Sequence, residues 1–65
     1  MYDIEYAIES NTFCHHVNSN HLPQIDDDIT IDGKHFKVRN IRHILNTERN
    51  NTTDEKFVVE IQLLQ

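Results

Sequence analysis

The chain lacks most of what a small domain uses to hold itself together. Its 65 residues include one cysteine, one glycine, one proline and no tryptophan. A single cysteine, Cys14, excludes an internal disulfide, and a lone free thiol fits a reducing compartment. With one glycine there is no glycine-rich loop to cradle phosphates. No apolar run approaches the ~20 residues of a membrane span. The start, Met1-Tyr2-Asp3-Ile4-Glu5, is acidic where a secretory signal is basic and then apolar. The expected compartment is the cytoplasm, of the organism or of a host it infects. The two overlapping Asn-x-Thr sequons in Asn50-Asn51-Thr52-Thr53 are accordingly read as a polar loop.

Basic residues are also missing from half of the chain. Positions 1 to 32 hold seven acids (Asp3, Glu5, Glu9, Asp26, Asp27, Asp28, Asp32) and no Lys or Arg. Positions 34 to 42 hold four bases (Lys34, Lys37, Arg39, Arg42) and no acid. The net charge of -5 thus conceals an acidic first half and a basic fourth strand.

What is present is alternation of period two, the pattern of half-buried strands. Scarce glycine and proline together with this order argue against a disordered chain. Tyr2, Ile4, Tyr6 and Ile8 alternate with mostly acidic residues, which predicts a first strand with these four inward. Ser10-Asn11-Thr12 reads as a turn. Phe13-Cys14-His15-His16-Val17 reads as a second strand with Phe13, His15 and Val17 on one face. Residues 18 to 23 form a loop, and Pro23 has no N–H to give a sheet. Ile29-Thr30-Ile31 and Lys34 to Val38 flank Asp32-Gly33, a pair suited to the positive φ values of a type I′ hairpin turn.

The fourth strand changes parity. Phe36 and Val38 share one, while Ile41, His43 and Leu45 share the other. A continuous strand keeps both sets on one face only with an extra residue, so a bulge is predicted near Arg39-Asn40. Residues 46 to 56 read as a polar loop, and a helical turn has room only within 42 to 50. Phe57 to Leu64 is the last strand, with Phe57, Val59, Ile61 and Leu63 inward. Five short strands in one domain, residues 1 to 65, predict an all-β fold: a small five-stranded barrel or a strongly bent antiparallel sheet.

The stretch from Leu22 to His43 resembles small SH3-like β-barrel proteins of bacteriophages and mobile elements. The matching residues are Leu22, Pro23, Ile25, Asp27, Ile29, Ile31, Asp32, Gly33, Phe36, Val38, Ile41 and His43, within a stretch that covers about a third of the chain. The pattern has a glycine where this chain has Asp26, so an aspartate must make a turn that glycine makes freely. The resemblance implies an SH3-like barrel and a phage or mobile-element origin. It carries no catalytic residue.

Candidate chemistry is sparse. Five histidines are present, and Cys14, His15, His16 and His21 lie within eight positions. Thiolate and imidazole are zinc ligands, so Cys14, His16 and His21 are the candidate set, with His35 or His43 as a fourth. On a strand Cys14 and His16 share a face that His15 leaves. A polar strand face is therefore the preferred reading, with no metal and no cofactor. Asp26-Asp27-Asp28 lacks the interleaved spacing of a calcium loop. It reads as a solvated turn in which an aspartate accepts from backbone N–H groups. A cysteine near histidines is no catalytic site without a pocket, so the chain is read as no enzyme.

The expected function is a non-catalytic module that binds a protein partner, a host factor. Origin from phage implies inhibition of a host protein, such as an antiviral defence complex, in the host cytoplasm. The partner surface is read as Asp3, Glu5, Glu9 and the turn Asp26, Asp27, Asp28. The alternative is a nucleic-acid-binding barrel using Lys37, Arg39 and Arg42, although cross-strand pairing with acids is the plainer role for these bases. No membrane partner is expected. A chain of about 60 residues buries only roughly 60% of its unfolded surface, so a homo-oligomer is expected. It is placed on an edge-lying last strand through Val58 and Leu64, with Ile44 adding to that face.

Overall fold

The computed structural model describes residues 1–8, 12–47 and 53–64, with 12–14 as backbone alone. Five strands account for most of them: β1 (Tyr2–Ile8), β2 (Thr12–Ser19), β3 (Asp28–Ile31), β4 (Lys34–Thr47) and β5 (Thr53–Leu63). They form one sheet in the order β2-β1-β5-β4-β3, curled into a half-barrel. The all-β expectation holds, with one correction. β1 and β5 run parallel, from Ile4 opposite Phe57 to Ile8 opposite Ile61. The other three pairings are antiparallel.

The bulge expected near Arg39 is present. Val38 lies opposite Ile61 and Asn40 opposite Glu60, so Arg39 is the extra residue. It puts Phe36 and Val38 on the same concave face as Ile41 and His43, which lie opposite Val59 and Phe57. A second bulge, not foreseen, lies in β2: Tyr6 faces His15 and Ala7 faces Phe13, leaving Cys14 over. Each bulge adds local twist, and together they bend the sheet. His15 and Val17 are half-buried, and His16 and Asn18 are exposed, as the alternation expects. The inward assignment of Phe13 and the turn at 10 and 11 lie outside the described residues.

The hairpin at Asp32-Gly33 has φ of 51° and 79° and closes Ile31 on Lys34, as the pair requires. The segment 46 to 56 departs from its expected loop. β4 runs to Thr47 and β5 starts at Thr53, with those two residues opposite each other. The helical option over 42–47 is thereby overturned, and 48–52 lie outside the described residues. The β4–β5 ribbon continues past the end of its pairing with β1, giving an arm and a long dimension of 46 Å.

The core is Ile4, Phe36, Val38, Phe57, Val59 and Ile61. β2 and β3 occupy opposite edges, so the connection from 20 to 27 must cross from one edge to the other. It does so with Pro23 buried and Leu22 packed against the core. Two residues expected inward, Tyr2 and Leu63, are 38% and 49% exposed. Both lie beyond the stretch where β1 and β5 pair, so one flank of each has no neighbouring strand.

The expected edge position of the last strand is also corrected. β5 is the middle strand, bonded to β1 on one side and β4 on the other. Val58 is 7% exposed, lying between Glu5 and Arg42 on the outer face. Leu64 is half-buried, and its N–H donates to the His35 carbonyl at 2.8 Å. The apolar Val58 on the outer face therefore marks the middle of the sheet and not its edge.

Candidate functional site

The turn before β3 is built by its backbone. The Asp27 N–H donates to the Gln24 carbonyl at 3.1 Å, closing a four-residue turn with Ile25 and Asp26 at its centre. Asp26 has φ of 73° and Ile25 is not in the positive region. A type II turn demands this at its third residue, where glycine is preferred. The Gln24 N–H donates to Asp27 Oδ2 at 2.9 Å, the side-chain bond expected for one aspartate. The Asp26 N–H donates to the Val38 carbonyl, and the Val38 N–H to the Asp27 carbonyl, both at 2.9 Å. The turn is thus fastened to β4 beside the bulge. Ile25, 51% exposed, stands at its tip. Asp26, Asp27 and Asp28 are all exposed.

Glycine at position 26 removes the side-chain penalty of the left-handed region, about 1–2 kcal/mol. It adds back unfolded-state freedom of about 0.4–1 kcal/mol. Asp26→Gly is therefore expected to stabilise the chain by about 0.5–1 kcal/mol, read as a rise in urea midpoint. An unchanged or lower midpoint would count against the strain.

The remaining acids do not join that turn. Asp3 and Glu5 lie on the outer face of β1, with β5 and β4 between them and β3. Glu9 lies outside the described residues. Between the two acidic sets sit cations, each within reach of a nearby carboxylate. Lys56 Nζ lies 3.2 Å from Glu5 Oε1, Arg42 Nε 3.4 Å from Glu60 Oε1, and Lys37 Nζ 3.9 Å from Asp28 Oδ1. Asp3 pairs with His16. Arg39 Nε donates to Gln62 Oε1 at 2.7 Å and Asn40 Nδ2 to Glu60 Oε1 at 2.9 Å. The acidic face and the basic stripe are one outer surface of alternating sign. Such exposed pairs contribute a few tenths of a kcal/mol each.

The histidines are dispersed. His15 and His43 lie on the concave side, opposite Tyr6 and Phe57. His16 and His35 lie on the outer side, and His21 is in the connection. His43 stacks on Phe57 with ring centroids 4.5 Å apart and bonds Glu55 at 2.7 Å. His35 Nδ1 lies 3.2 Å from Thr30 Oγ1. Among the described residues no three His, Cys, Asp or Glu side chains are grouped to hold a metal; the Cys14 side chain lies outside them. The described residues enclose no pocket. No helix among them is long and apolar enough to cross a membrane.

Burial raises the Tyr6 hydroxyl above its ordinary 10.0. The fold therefore favours the neutral phenol. Its contribution is complete below pH 10 and declines as pH rises through the folded value. Alkaline titration of stability is expected to fall less steeply for Tyr6→Phe than for the wild type, measured by urea melts across that range. Identical slopes would exclude the effect.

Comparison with protein-family models, with curated proteins and with solved structures found no match. The turn at 24 to 28 was partly legible in the sequence, since the resemblance placed an aspartate where glycine is usual. The exposure of Ile25 was not, because an apolar residue in the pattern does not say which side of the turn it takes.

Proposed function

We propose that the chain is a non-catalytic protein-binding module whose contact surface is the turn at 24 to 28. The observation that carries this is the setting of Ile25. It is half exposed at the tip of a turn held by four backbone-anchored bonds, and three exposed carboxylates follow it. A fixed apolar anchor within a charged rim is the arrangement of a binding hot spot. Because the turn is already ordered, little conformational entropy is lost on binding. The complementary partner has an apolar socket rimmed by Lys and Arg, and opposite charge speeds the encounter.

The similarity of Leu22 to His43 to barrels of phages and mobile elements supports reading that partner as a host protein, with inhibition of an antiviral defence complex as the consequence. The basic strand supports a nucleic-acid role less well. Lys37 and Arg42 already face Asp28 and Glu60.

The test is recovery of a partner from host lysate by wild type, Ile25→Ala and Asp28→Asn. Retention by wild type and a loss of about tenfold or more for Ile25→Ala supports the reading. Equal retention by all three would move the contact elsewhere. Micromolar binding to single-stranded or duplex nucleic acid that weakens steeply with salt would replace the protein partner by the basic strand's alternative.

A further inference from the structure

The two edges of the sheet are built differently. β3 is four residues long and starts with Asp28. It follows the acidic turn and ends at Asp32-Gly33. Short length and charge are the features by which natural sheets block an edge. β2 is eight residues long, TFCHHVNS, with no Asp, Glu, Lys, Arg or Pro. Each of the other four strands carries at least one charged residue. Among the described residues β2 pairs with β1 alone. Its other side therefore presents a free row of backbone donors and acceptors from His15 to Ser19. The bulge at Cys14 bounds the regular part of that row.

The occupant that fits is a second copy of this chain. A chain of net charge -5 repels its copies, and β2 is the strand along which two copies meet with no formal charge on either. An antiparallel strand is also complementary to itself, since residue i faces j and j faces i across a two-fold axis.

We propose that two copies pair β2 to β2, antiparallel, about a two-fold axis within residues 15 to 19, so that the two five-stranded sheets become one. This goes beyond the proposed partner contact and is separable from it, because the turn at 24 to 28 adjoins the opposite edge.

The test is sedimentation of the full chain over a concentration series, for wild type, His16→Lys/Asn18→Lys and Thr30→Lys. Each new lysine faces a β1 carboxylate in its own chain, since His16 lies opposite Glu5 and Asn18 opposite Asp3. Whether residue 16, 17 or 18 lies on the axis, lysine meets lysine across it. Wild type and Thr30→Lys are expected at twice 7.7 kDa. The double variant should dissociate with a constant raised about tenfold or more, because like charges opposed across strands repel. A wild type that stays at 7.7 kDa up to about 1 mM, or a dimer equally stable in the double variant, overturns the proposal. Should the double variant unfold, amide exchange of the wild type decides. Protection of residues 15 to 19 that rises with concentration supports the pairing, and protection independent of concentration overturns it.

Discussion

Replacing Ile61 with alanine should leave most of the chain unfolded at room temperature. Ile61 is 1% exposed and sits in the middle strand, opposite Ile8 on β1 and Val38 on β4. Truncating such a side chain costs about 2–5 kcal/mol, from lost transfer energy plus the cavity left behind. A single core in a chain this short rarely supplies more than about 3–5 kcal/mol in all. The loss is therefore of the same size as the whole. Far-UV circular dichroism and urea titration measure it, with Leu63→Ala as the comparison. Leu63 is two residues along the same face but 49% exposed, and its truncation should stay within about 0.5 kcal/mol. Equal effects at 61 and 63 would show that the middle of the sheet is not where the structure puts it.

Phe57→Ala should cost about 3–5 kcal/mol and release the β4–β5 arm. Phe57 is 9% exposed and lies where β5 leaves β1 and continues with β4 alone. The Tyr2 ring meets it edge-on at 5.5 Å, and His43 stacks on it at 4.5 Å with an interplanar angle of 4°. Beyond it the paired residues 44–47 and 53–56 form a two-stranded ribbon, which in water is marginal without a flanking strand. Amide exchange should show those positions opening first in the wild type and losing protection entirely in Phe57→Ala. Phe57→Leu retains much of the buried area but loses both ring contacts, and should cost less than about 1.5 kcal/mol. A similar loss for both variants would locate the effect in ring geometry instead of burial.

These two residues show how far the sequence could be read. Both were assigned inward from alternation, correctly. Leu63 was assigned inward by the same rule and is exposed, because alternation says which way a side chain points and not whether another strand lies beside it. Val58 shows the reverse. Its apolar character on the outer face was read as an edge for self-association, whereas it sits between neighbouring strands. The acidic surface was half legible. The turn at 24 to 28 stands as expected, but Asp3 and Glu5 are separated from it by cations that lie far away in sequence.

By itself the sequence determined the all-β class, the hairpin at Asp32-Gly33 and the bulge at Arg39. Each follows from residues within a few positions of one another: a period of two, a parity change, a φ that few residues adopt. The tertiary structure decided the strand order, the parallel pairing of first and last strands, the burial of Val58 and the exposure of Ile25. It also decided that acids and bases share one surface, and that β2 is the uncharged edge. Those depend on which distant segments lie side by side, which is settled by the core that β1, β4 and β5 close together.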